Sequence, residues 1–332
     1  MVNKLKGNTY PTNYLRSVLD DKYSLIGSYQ NKAELWDNRN MQPVYNLSDR
    51  LKTNVGIYLS PSNRIYATSD RENKLQVWDT PTGQLLNEIA CGIEKGGSGV
   101  IVPLWAQDRE PAKPATINAG FTAKHAFERG IFSPDETLIV TASPHEGGAS
   151  VWDLQQKKLK ISFDIGAPGI YEMAFSPSGK QIAAAGRSGA AVIVNLQNSQ
   201  LISLKGHTSN VNSILFNKAG TKILTASADS TIVIWDALTG QRIKSIKASN
   251  TVYSACFSAD EKKILVIGGG IFIGYDAASF QQLFEIKTKA AKITLMKNPS
   301  LVLLWGEYSE KPPLIFNITT FKTVQEFPAD MR

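Results

Sequence analysis

The histidines and the carboxylates near them are the residues of this sequence best suited to do chemistry. His125 and His145 flank one stretch of chain, and with Glu146 they could hold a metal ion, because imidazole and carboxylate groups are common ligands of zinc and other transition metals. Asp108 and Glu110 could act as a general acid and base, but their spacing in a predicted loop defines no geometry. The simpler interpretation of both histidines is as exposed turn residues, so we expect neither a metal nor a cofactor. A hydrolase or metalloenzyme stays open as an alternative.

Glycine-rich segments suggest a second kind of chemistry, phosphate binding. Gly268-Gly269-Gly270 precedes the apolar run 271–273, a predicted strand, whereas a phosphate-binding loop opens a helix. The sequence contains no Gly-x-x-x-x-Gly-Lys-Ser/Thr motif. We therefore interpret the glycines as a turn between two strands, and the chain as a protein without enzymatic activity.

The charge balance bears on possible partners. The 332 residues carry a net charge of +7, and the pI is about 9.2, but the lysines are dispersed. The densest basic runs, 157–160 and 287–292, have no interleaved aromatic residues, which argues against a nucleic-acid partner. No stretch of the sequence approaches the roughly 18 apolar residues of a membrane span.

The cysteines and the first residues bear on location. Cys91 and Cys256 are the two cysteines, and they fall in different predicted repeats, so a disulfide framework is not expected and a reducing compartment fits. The beginning of the sequence lacks the apolar segment of a signal peptide. We expect a cytoplasmic protein, or a nuclear one in a eukaryote.

The elements that must position these residues form a repeat. Its clearest copy has four short, alternating, β-branched segments at 211–216, 222–226, 231–236 and 242–246, separated by turn residues. Short strands with turns every eight to twelve residues or so predict antiparallel sheet. The third segment ends in Trp235-Asp236, and related dipeptides end at 37, 79, 153, 195, 276 and 317. Five of the six intervals are 40 to 42 residues, the period of a four-stranded propeller blade.

These marks give the chain a resemblance to the WD40-repeat family over residues 12–328, apart from one insertion. The resemblance implies an all-β, seven-bladed β-propeller with four antiparallel strands per blade, so that residues 1–332 form a single domain. Propellers of the resembled family mostly close by pairing an N-terminal strand into the last, C-terminal blade. Asn3–Asn8 and Thr323–Phe327 compete for that edge, and we expect Thr323–Phe327 to take it because it alternates better.

The copy with the closest resemblance contains a Gly206-His207 turn, and Asp229 lies six residues before Trp235. The resemblance implies a structural tetrad of His207, Asp229, Trp235 and one hydroxyl, either Thr225 or Ser227. A buried indole N–H and imidazole need partners, and such a chain supplies them. The other copies are expected to rely on apolar packing, because the position of Asp229 holds Glu72, Ser188 and Gly269 in three of them.

An insertion at 91–126 accounts for the one long interval, 74 residues between Trp78 and Trp152. A decayed eighth blade is the alternative, but the segment is too short for one and shows no pattern of four strands. The resemblance implies that this connection lies on the top face of the propeller, and long loops on rigid scaffolds often carry function. Its Trp105 is therefore a candidate partner contact, or else part of a hairpin that packs on its own blade.

One short motif has a more specific counterpart. Trp36-Asp37-Asn38-Arg39 resembles the Trp-Asp-x-Arg pattern of the WD40 receptors in cullin–DDB1-type ubiquitin ligases. The resemblance implies that Arg39 would form ion pairs at the bottom rim of the propeller. The pattern occurs once here, whereas such receptors often carry it in adjacent blades. A ubiquitin-ligase substrate receptor is therefore an alternative function.

The remaining candidates lie on the predicted surface. In the resembled family, partners often touch residues that flank the start of each first strand, and residues of the second turns. By that register the candidates are Tyr171, Asn210, Asn212 and Tyr253 at strand starts, and Arg187 and His145 in turns. Tyrosine and arginine are common interface anchors, although both tyrosines could instead cover contacts between blades. We expect a non-catalytic scaffold that binds peptides or protein domains on the top face, as a monomeric propeller within a larger complex.

Overall fold

The structure, a computed structural model, describes residues 12–18, 23–28, 32–37, 42–46, 54–70, 74–91, 116–117, 129–143, 145–305 and 314–326. The chain divides into two compact units, residues 1–101 with 118–164 and residues 102–117 with 165–332. Antiparallel sheets of consecutive strands build both units. The described residues contain no α-helix and a single 3-10 helix, Arg187–Gly189 (η1).

The first unit contains three sheets whose four strands pair in chain order. The first sheet consists of Thr12–Val18 (β1), Tyr23–Ser28 (β2), Lys32–Asp37 (β3) and Gln42–Asn46 (β4). The second consists of Asn54–Leu59 (β5), Ile65–Asp70 (β6), Lys74–Asp79 (β7) and Leu85–Ala90 (β8). Next in the chain is a two-residue strand of the second unit, Thr116–Ile117 (β9). The third sheet consists of Arg129–Phe132 (β10), Leu138–Ala142 (β11), Gly148–Asp153 (β12) and Lys158–Asp164 (β13).

The second unit contains four further sheets with the same strand order. The fourth consists of Ile170–Phe175 (β14), Gln181–Gly186 (β15), Ala191–Asn195 (β16) and Leu201–Ser203 (β17). The fifth consists of Val211–Phe216 (β18), Lys222–Ser227 (β19), Thr231–Asp236 (β20) and Arg242–Lys247 (β21). The sixth consists of Val252–Phe257 (β22), Lys263–Gly268 (β23), Ile271–Asp276 (β24) and Gln282–Lys287 (β25). The seventh consists of Lys292–Leu295 (β26), Leu301–Trp305 (β27), Leu314–Asn317 (β28) and Lys322–Glu326 (β29).

Burial differs between the inner strands and the fourth strand of a sheet. In β20 every residue between Thr231 and Asp236 is buried, whereas in β21 only Ile246 is. A strand buried on both faces needs apolar side chains at successive positions, which is why β20 contains the run Ile232-Val233-Ile234-Trp235. The fourth strands β8, β21 and β25 carry mostly exposed residues and therefore tolerate polar side chains.

The core lies between sheets that follow one another in the chain. Within the second unit, one cluster containing Trp235 joins the fourth and fifth sheets, and one containing Ile264 joins the fifth and sixth. A third cluster, which contains Phe316, joins the sixth and seventh sheets. Within the first unit, a cluster containing Ile139 joins the second and third sheets. The sheets from the second to the seventh are thus stabilised mainly by their neighbours, as in other repeat proteins.

The last residue of the third strand caps the turn that follows. Asp236 Oδ1 accepts hydrogen bonds from the backbone N–H groups of Leu238 and Thr239, at 3.0 and 2.8 Å. Asn195 and Asn317, which replace the aspartate in the fourth and seventh sheets, also accept two backbone bonds each. An acceptor oxygen two or three residues ahead of a backbone N–H stabilises such a turn. The degenerate dipeptides therefore keep the one atom that the turn requires.

The predicted fold class, all-β with four-stranded antiparallel sheets of the propeller type, is confirmed. The four strands of the clearest repeat end within one residue of their predicted bounds. The expected closing segment, Thr323–Phe327, coincides with β29, which pairs with β28, whereas Asn3–Asn8 lies outside the described residues. The insertion at 91–126 also lies outside them, except for Cys91 and Thr116–Ile117. The closed ring of seven blades and the single domain stay predictions.

Candidate functional site

Four side chains of the fifth sheet and its entry turn form one hydrogen-bonded chain. The indole N–H of Trp235 donates to Thr225 Oγ1 at 2.8 Å, and this oxygen lies 2.7 Å from His207 Nε2. His207 Nδ1 lies 2.9 Å from Asp229 Oδ2. With the imidazole proton on Nδ1, each link has one donor and one acceptor: indole to hydroxyl, hydroxyl to Nε2, and Nδ1–H to carboxylate.

Thr225, and not Ser227, supplies the hydroxyl of this chain. Ser227 Oγ donates to the carbonyl of Ser209 at 3.1 Å and accepts the backbone N–H of Asp229 at 3.1 Å. It thereby fixes the turn that carries Asp229. Alternation along β19 places both hydroxyls on the same face, so the sequence left the choice open.

The carboxylate of Asp229 is held in its ionised form. Partial burial acts to raise its pKa, but hydrogen bonds from the Thr231 hydroxyl, the Thr208 N–H and His207 outweigh this and lower the pKa below its ordinary value. The Thr231 and Thr208 bonds measure 2.6 and 2.9 Å. An ionised Asp229 keeps the imidazole proton on Nδ1 of His207, whose side chain has 0% exposure. Because both ring nitrogens are engaged, we interpret the chain as a brace within the sheet.

Two of the other copies add a hydrogen bond of their tryptophan to the expected apolar packing. The indole N–H of Trp78 donates to Thr68 at 3.0 Å in the second sheet, and that of Trp152 donates to Thr141 at 2.9 Å in the third. A buried indole N–H without an acceptor would be destabilising, which explains the threonine. The sequence signal that could have predicted these bonds is a threonine 10 or 11 residues before each tryptophan.

Two of the predicted surface residues in the second unit contact each other. The Arg187 Nε–H donates to Tyr171 Oη at 2.8 Å, and the guanidinium carbon lies 5.9 Å from the centre of the ring. Arg187 is only 2% exposed, so it lies beneath the surface on which its register placed it, and its role as a partner contact stays a prediction. A buried guanidinium needs hydrogen-bond acceptors, and here it holds the half-buried Tyr171 in place.

Two asparagines of the fifth sheet fasten the neighbouring sheets. Asn210 Oδ1 accepts the backbone N–H of Ser188, in the η1 turn of the fourth sheet, at 3.2 Å. Asn212 Nδ2 donates to the carbonyl of Val252, the first residue of β22 in the sixth sheet, at 2.7 Å. The two amide groups therefore bind backbone on both sides of the fifth sheet.

Tyr253 follows the carbonyl that Asn212 binds, and it is 47% exposed. The strands involved are neighbours, since β14 contacts β18 and β18 contacts β22. We call Tyr171, Asn210, Asn212 and Tyr253 the strand-start row. The structure brings these four predicted residues together along three adjacent sheets of the second unit.

The remaining sequence candidates do not join this row. His145 belongs to the first unit and is half-buried, and its backbone N–H donates to Ser143 Oγ at 3.2 Å. Outside the described residues lie Arg39, Trp105, Asp108, Glu110 and His125. The residues that the structure describes contain no group of three or more His, Cys, Asp or Glu able to hold a metal ion. Within that same part of the chain, no helix is long and apolar enough to cross a membrane.

The family match includes the first three strands of the fifth sheet. Residues 198–236 match the family model described as WD domain, G-beta repeat. The WD repeat-containing protein SL1-17 of Schistosoma mansoni is 23% identical over 224 residues, which are 67% of this chain and 64% of the relative. The COMPASS component SWD3 of Saccharomyces cerevisiae is 36% identical over 109 residues, 32% of this chain and 35% of the relative. A guanine nucleotide-binding protein subunit beta of Zea mays is 34% identical over 122 residues, 34% of this chain and 32% of the relative.

The matched segment contains the complete hydrogen-bonded chain from His207 to Trp235. With the repeated sheets and these relatives, it supports the WD40-repeat family for this chain. The chain spans less than two thirds of the length of each of the three relatives.

Proposed function

We propose that this protein is a non-catalytic platform for protein–protein interaction that binds a peptide or protein domain through the strand-start row. The observation that carries the proposal is the exposed ring of Tyr253, which stands beside backbone held by Asn212. Buried tyrosines at the centre of an interface commonly contribute a large share of binding energy. Tyr253 is therefore the expected anchor.

Preorganisation of the row supports the same function. Arg187 holds Tyr171, and Asn210 and Asn212 tie the row to the fourth and sixth sheets. A side chain that is already fixed loses less conformational entropy on binding, so more of the contact energy appears as affinity. Tyrosine also offers a large contact area with few rotatable bonds.

Similarity to known proteins supports the class of function. One relative is a component of COMPASS and another is the beta subunit of a guanine nucleotide-binding protein, so each belongs to an assembly by its name. WD40 repeats in this chain are in keeping with a protein-interaction role. The identity of the partner does not follow from these similarities.

The experiment is affinity purification of the tagged full chain from its native cells, comparing the wild type with Tyr253→Ala. We expect the partners recovered with the wild type to fall about tenfold, since loss of an anchoring tyrosine commonly costs that much affinity. Leu238→Ala is the matched control: it removes an exposed side chain, 77% accessible, in a turn of the fifth sheet outside the row.

The Tm of both variants is measured as well, because a lower Tm would mean that the substitution acts on folding and not on binding. Equal recovery of every partner with Tyr253→Ala and with wild type, at unchanged Tm, would refute the row as the binding site. The ubiquitin-ligase and metalloenzyme alternatives depend on Arg39 and on residues 91–126, which lie outside the described residues except for Cys91 and Thr116–Ile117, so both stay predictions from the sequence.

A further inference from the structure

The fourth strand of the fifth sheet, β21, carries an unusual concentration of positive charge. Its sequence is Arg242-Ile243-Lys244-Ser245-Ile246-Lys247, with three cationic residues and no acidic one. All of these residues except Ile246 are exposed, and the side chain of Ile243 is 48% accessible. Four adjacent positions, 242–245, and Lys247 are therefore open to contact from outside the sheet.

The other sheets provide an internal comparison, because each has a fourth strand in the same position. β4 and β17 carry no charge, and β8 carries one glutamate. β25 and β29 each balance one lysine with one glutamate, and β13 has two lysines and one aspartate. Lysines protect exposed sheet edges from pairing with other chains. The six other fourth strands carry a net charge of +1 or less, and five of them end their sheets as β21 does, so edge protection does not account for three cations on β21.

Charges lie on both sides of this edge. Ile246 belongs to the cluster between the fifth and sixth sheets, and Lys244, two positions earlier, holds its ammonium 5.4 Å from the ring centre of Phe280 in the sixth. Lys247 differs from Lys244 by an odd number of positions and therefore points to the opposite side. A strand laid along β21 would meet a cation on each of its two faces.

The backbone of β21 is suited to strand pairing. Its inner edge pairs with β20, from Thr231↔Lys247 to Trp235↔Arg242, and within the described residues no further strand follows it in the sheet. A register shift opposite Trp235 affects only the Arg242 end, and the third and fourth strands of five other sheets show the same irregularity. The regular part, Lys244–Lys247, leaves an outer row of N–H and C=O groups available to a new strand.

We propose that β21 binds an extended, acidic segment of a partner protein, which adds to the fifth sheet as a further strand. Backbone hydrogen bonds along the edge supply the affinity, and carboxylates facing Lys244, Lys247 and Arg242 supply the selectivity. A nucleic acid fits less well, because none of the exposed residues of β21 is aromatic and could stack on a base. This site is independent of the strand-start row, which lies on first strands.

The test uses the full chain and a fluorescent peptide of about eight residues, a length typical of a strand, that repeats Glu-Glu-Val-Val so that carboxylates lie on both faces of the strand. We expect Lys244→Glu/Lys247→Glu to weaken binding of this peptide about tenfold, since each exposed ion pair contributes modestly and two are reversed. Lys287→Glu is the matched control, because it alters a lysine at the same place in β25 and should leave binding unchanged. Binding should also weaken with added salt, which screens exposed charges.

A second peptide separates strand addition from simple attraction of charges. It has the same sequence with N-methyl groups on alternate residues, so that it keeps every carboxylate but loses backbone donors on one edge. We expect its binding to be at least about tenfold weaker. Equal binding of both peptides would overturn the proposal, as would no binding by the wild type, an equal loss with Lys287→Glu, or tighter binding of a single-stranded RNA of the same length. Tyr253→Ala should not change binding of the acidic peptide. A negative result with this peptide would therefore not count against the strand-start row as a binding site.

Discussion

Asp229 shows how a single ionised side chain organises a tight turn at the residue scale. Its two oxygens accept hydrogen bonds from His207, from the backbone N–H groups of Thr208 and Thr231, and from the Thr231 hydroxyl. Bonds to a charged acceptor are stronger than bonds between neutral groups. Asp229 therefore connects the entry turn of the fifth sheet to the turn before β20, and the charge itself is part of the connection.

This dependence on charge gives a prediction about pH. Asp229→Asn should lower the free energy of unfolding near neutral pH, and the difference from wild type should shrink below about pH 4. The pKa of Asp229 is lowered in the folded protein, so its contribution is complete above the unfolded value of about 3.9 and is lost as the pH falls through the folded value. Urea denaturation of both proteins at several pH values measures it. A difference that stays constant into acid would contradict the role of the charge.

At the scale of elements, the turn from third to fourth strand reuses one backbone conformation. Its last residue has a positive φ in six sheets, between 54° and 70°; these residues are Gly83, Lys157, Ser199, Gly240, Phe280 and Phe321. Four of the six have side chains, so the backbone conformation alone does not demand glycine. At Gly240 glycine is required by packing, because an added Cβ would lie 2.4 Å from Ile202 Cγ2 in the fourth sheet.

Gly240→Ala should therefore destabilise the protein by about 2–3 kcal/mol, combining the strain of a left-handed alanine with overpacking against Ile202. Gly220→Ala is the matched control, since Gly220 has φ +69° but its Cβ would meet Pro177 Cδ at 3.3 Å. Gly220→Ala should cost about 1 kcal/mol for the backbone, because Pro177 has to shift by only a few tenths of an ångström to make room. The urea concentrations at which the two variants are half unfolded measure the difference between their losses of stability. Equal losses would show that packing against the fourth sheet does not matter at Gly240.

At the scale of the molecule, each core cluster that the described residues form joins sheets that are consecutive in the chain, so a local weakness should affect near sheets first. The two cysteines report on the two units separately. Cys91 is buried in the first unit, and Cys256 is partly buried in the second, where burial of its thiol raises the pKa to about 12. The thiolate is the reactive form, so both cysteines should resist alkylation until their surroundings unfold.

The variant Thr225→Val tests whether a local weakness affects the nearest sheets first. The variant keeps the side-chain shape but leaves the Trp235 indole and His207 Nε2 without their partner, and we expect a loss of about 2–4 kcal/mol. Alkylation across a urea series, followed by mass spectrometry of the two cysteine peptides, should show the midpoint for Cys256 falling more than that for Cys91. Equal shifts at both cysteines would mean that the chain unfolds as a single unit and would contradict local propagation.

The sequence by itself determined the repeating architecture and most members of the hydrogen-bonded chain. Alternating strands and the period of the Trp-Asp dipeptides depend on local chemistry: β-branched residues in strands, an acceptor oxygen in the turn and an indole that needs a partner. His207, Asp229 and Trp235 could be assigned because their spacing is set within one repeat. The strands of the fifth sheet were predictable to within a residue for the same reason.

Tertiary structure alone decided the matters that depend on contacts between repeats. Thr225 and Ser227 share a face of β19, and only the approach of His207, 18 residues earlier in the chain, selects Thr225. Arg187 occupies a turn position that resembles an exposed one in the sequence, yet its guanidinium lies under Tyr171 and is buried. Burial is set by what packs against a residue, and the packing partners of these side chains come from distant parts of the sequence, where a local pattern carries no information about them.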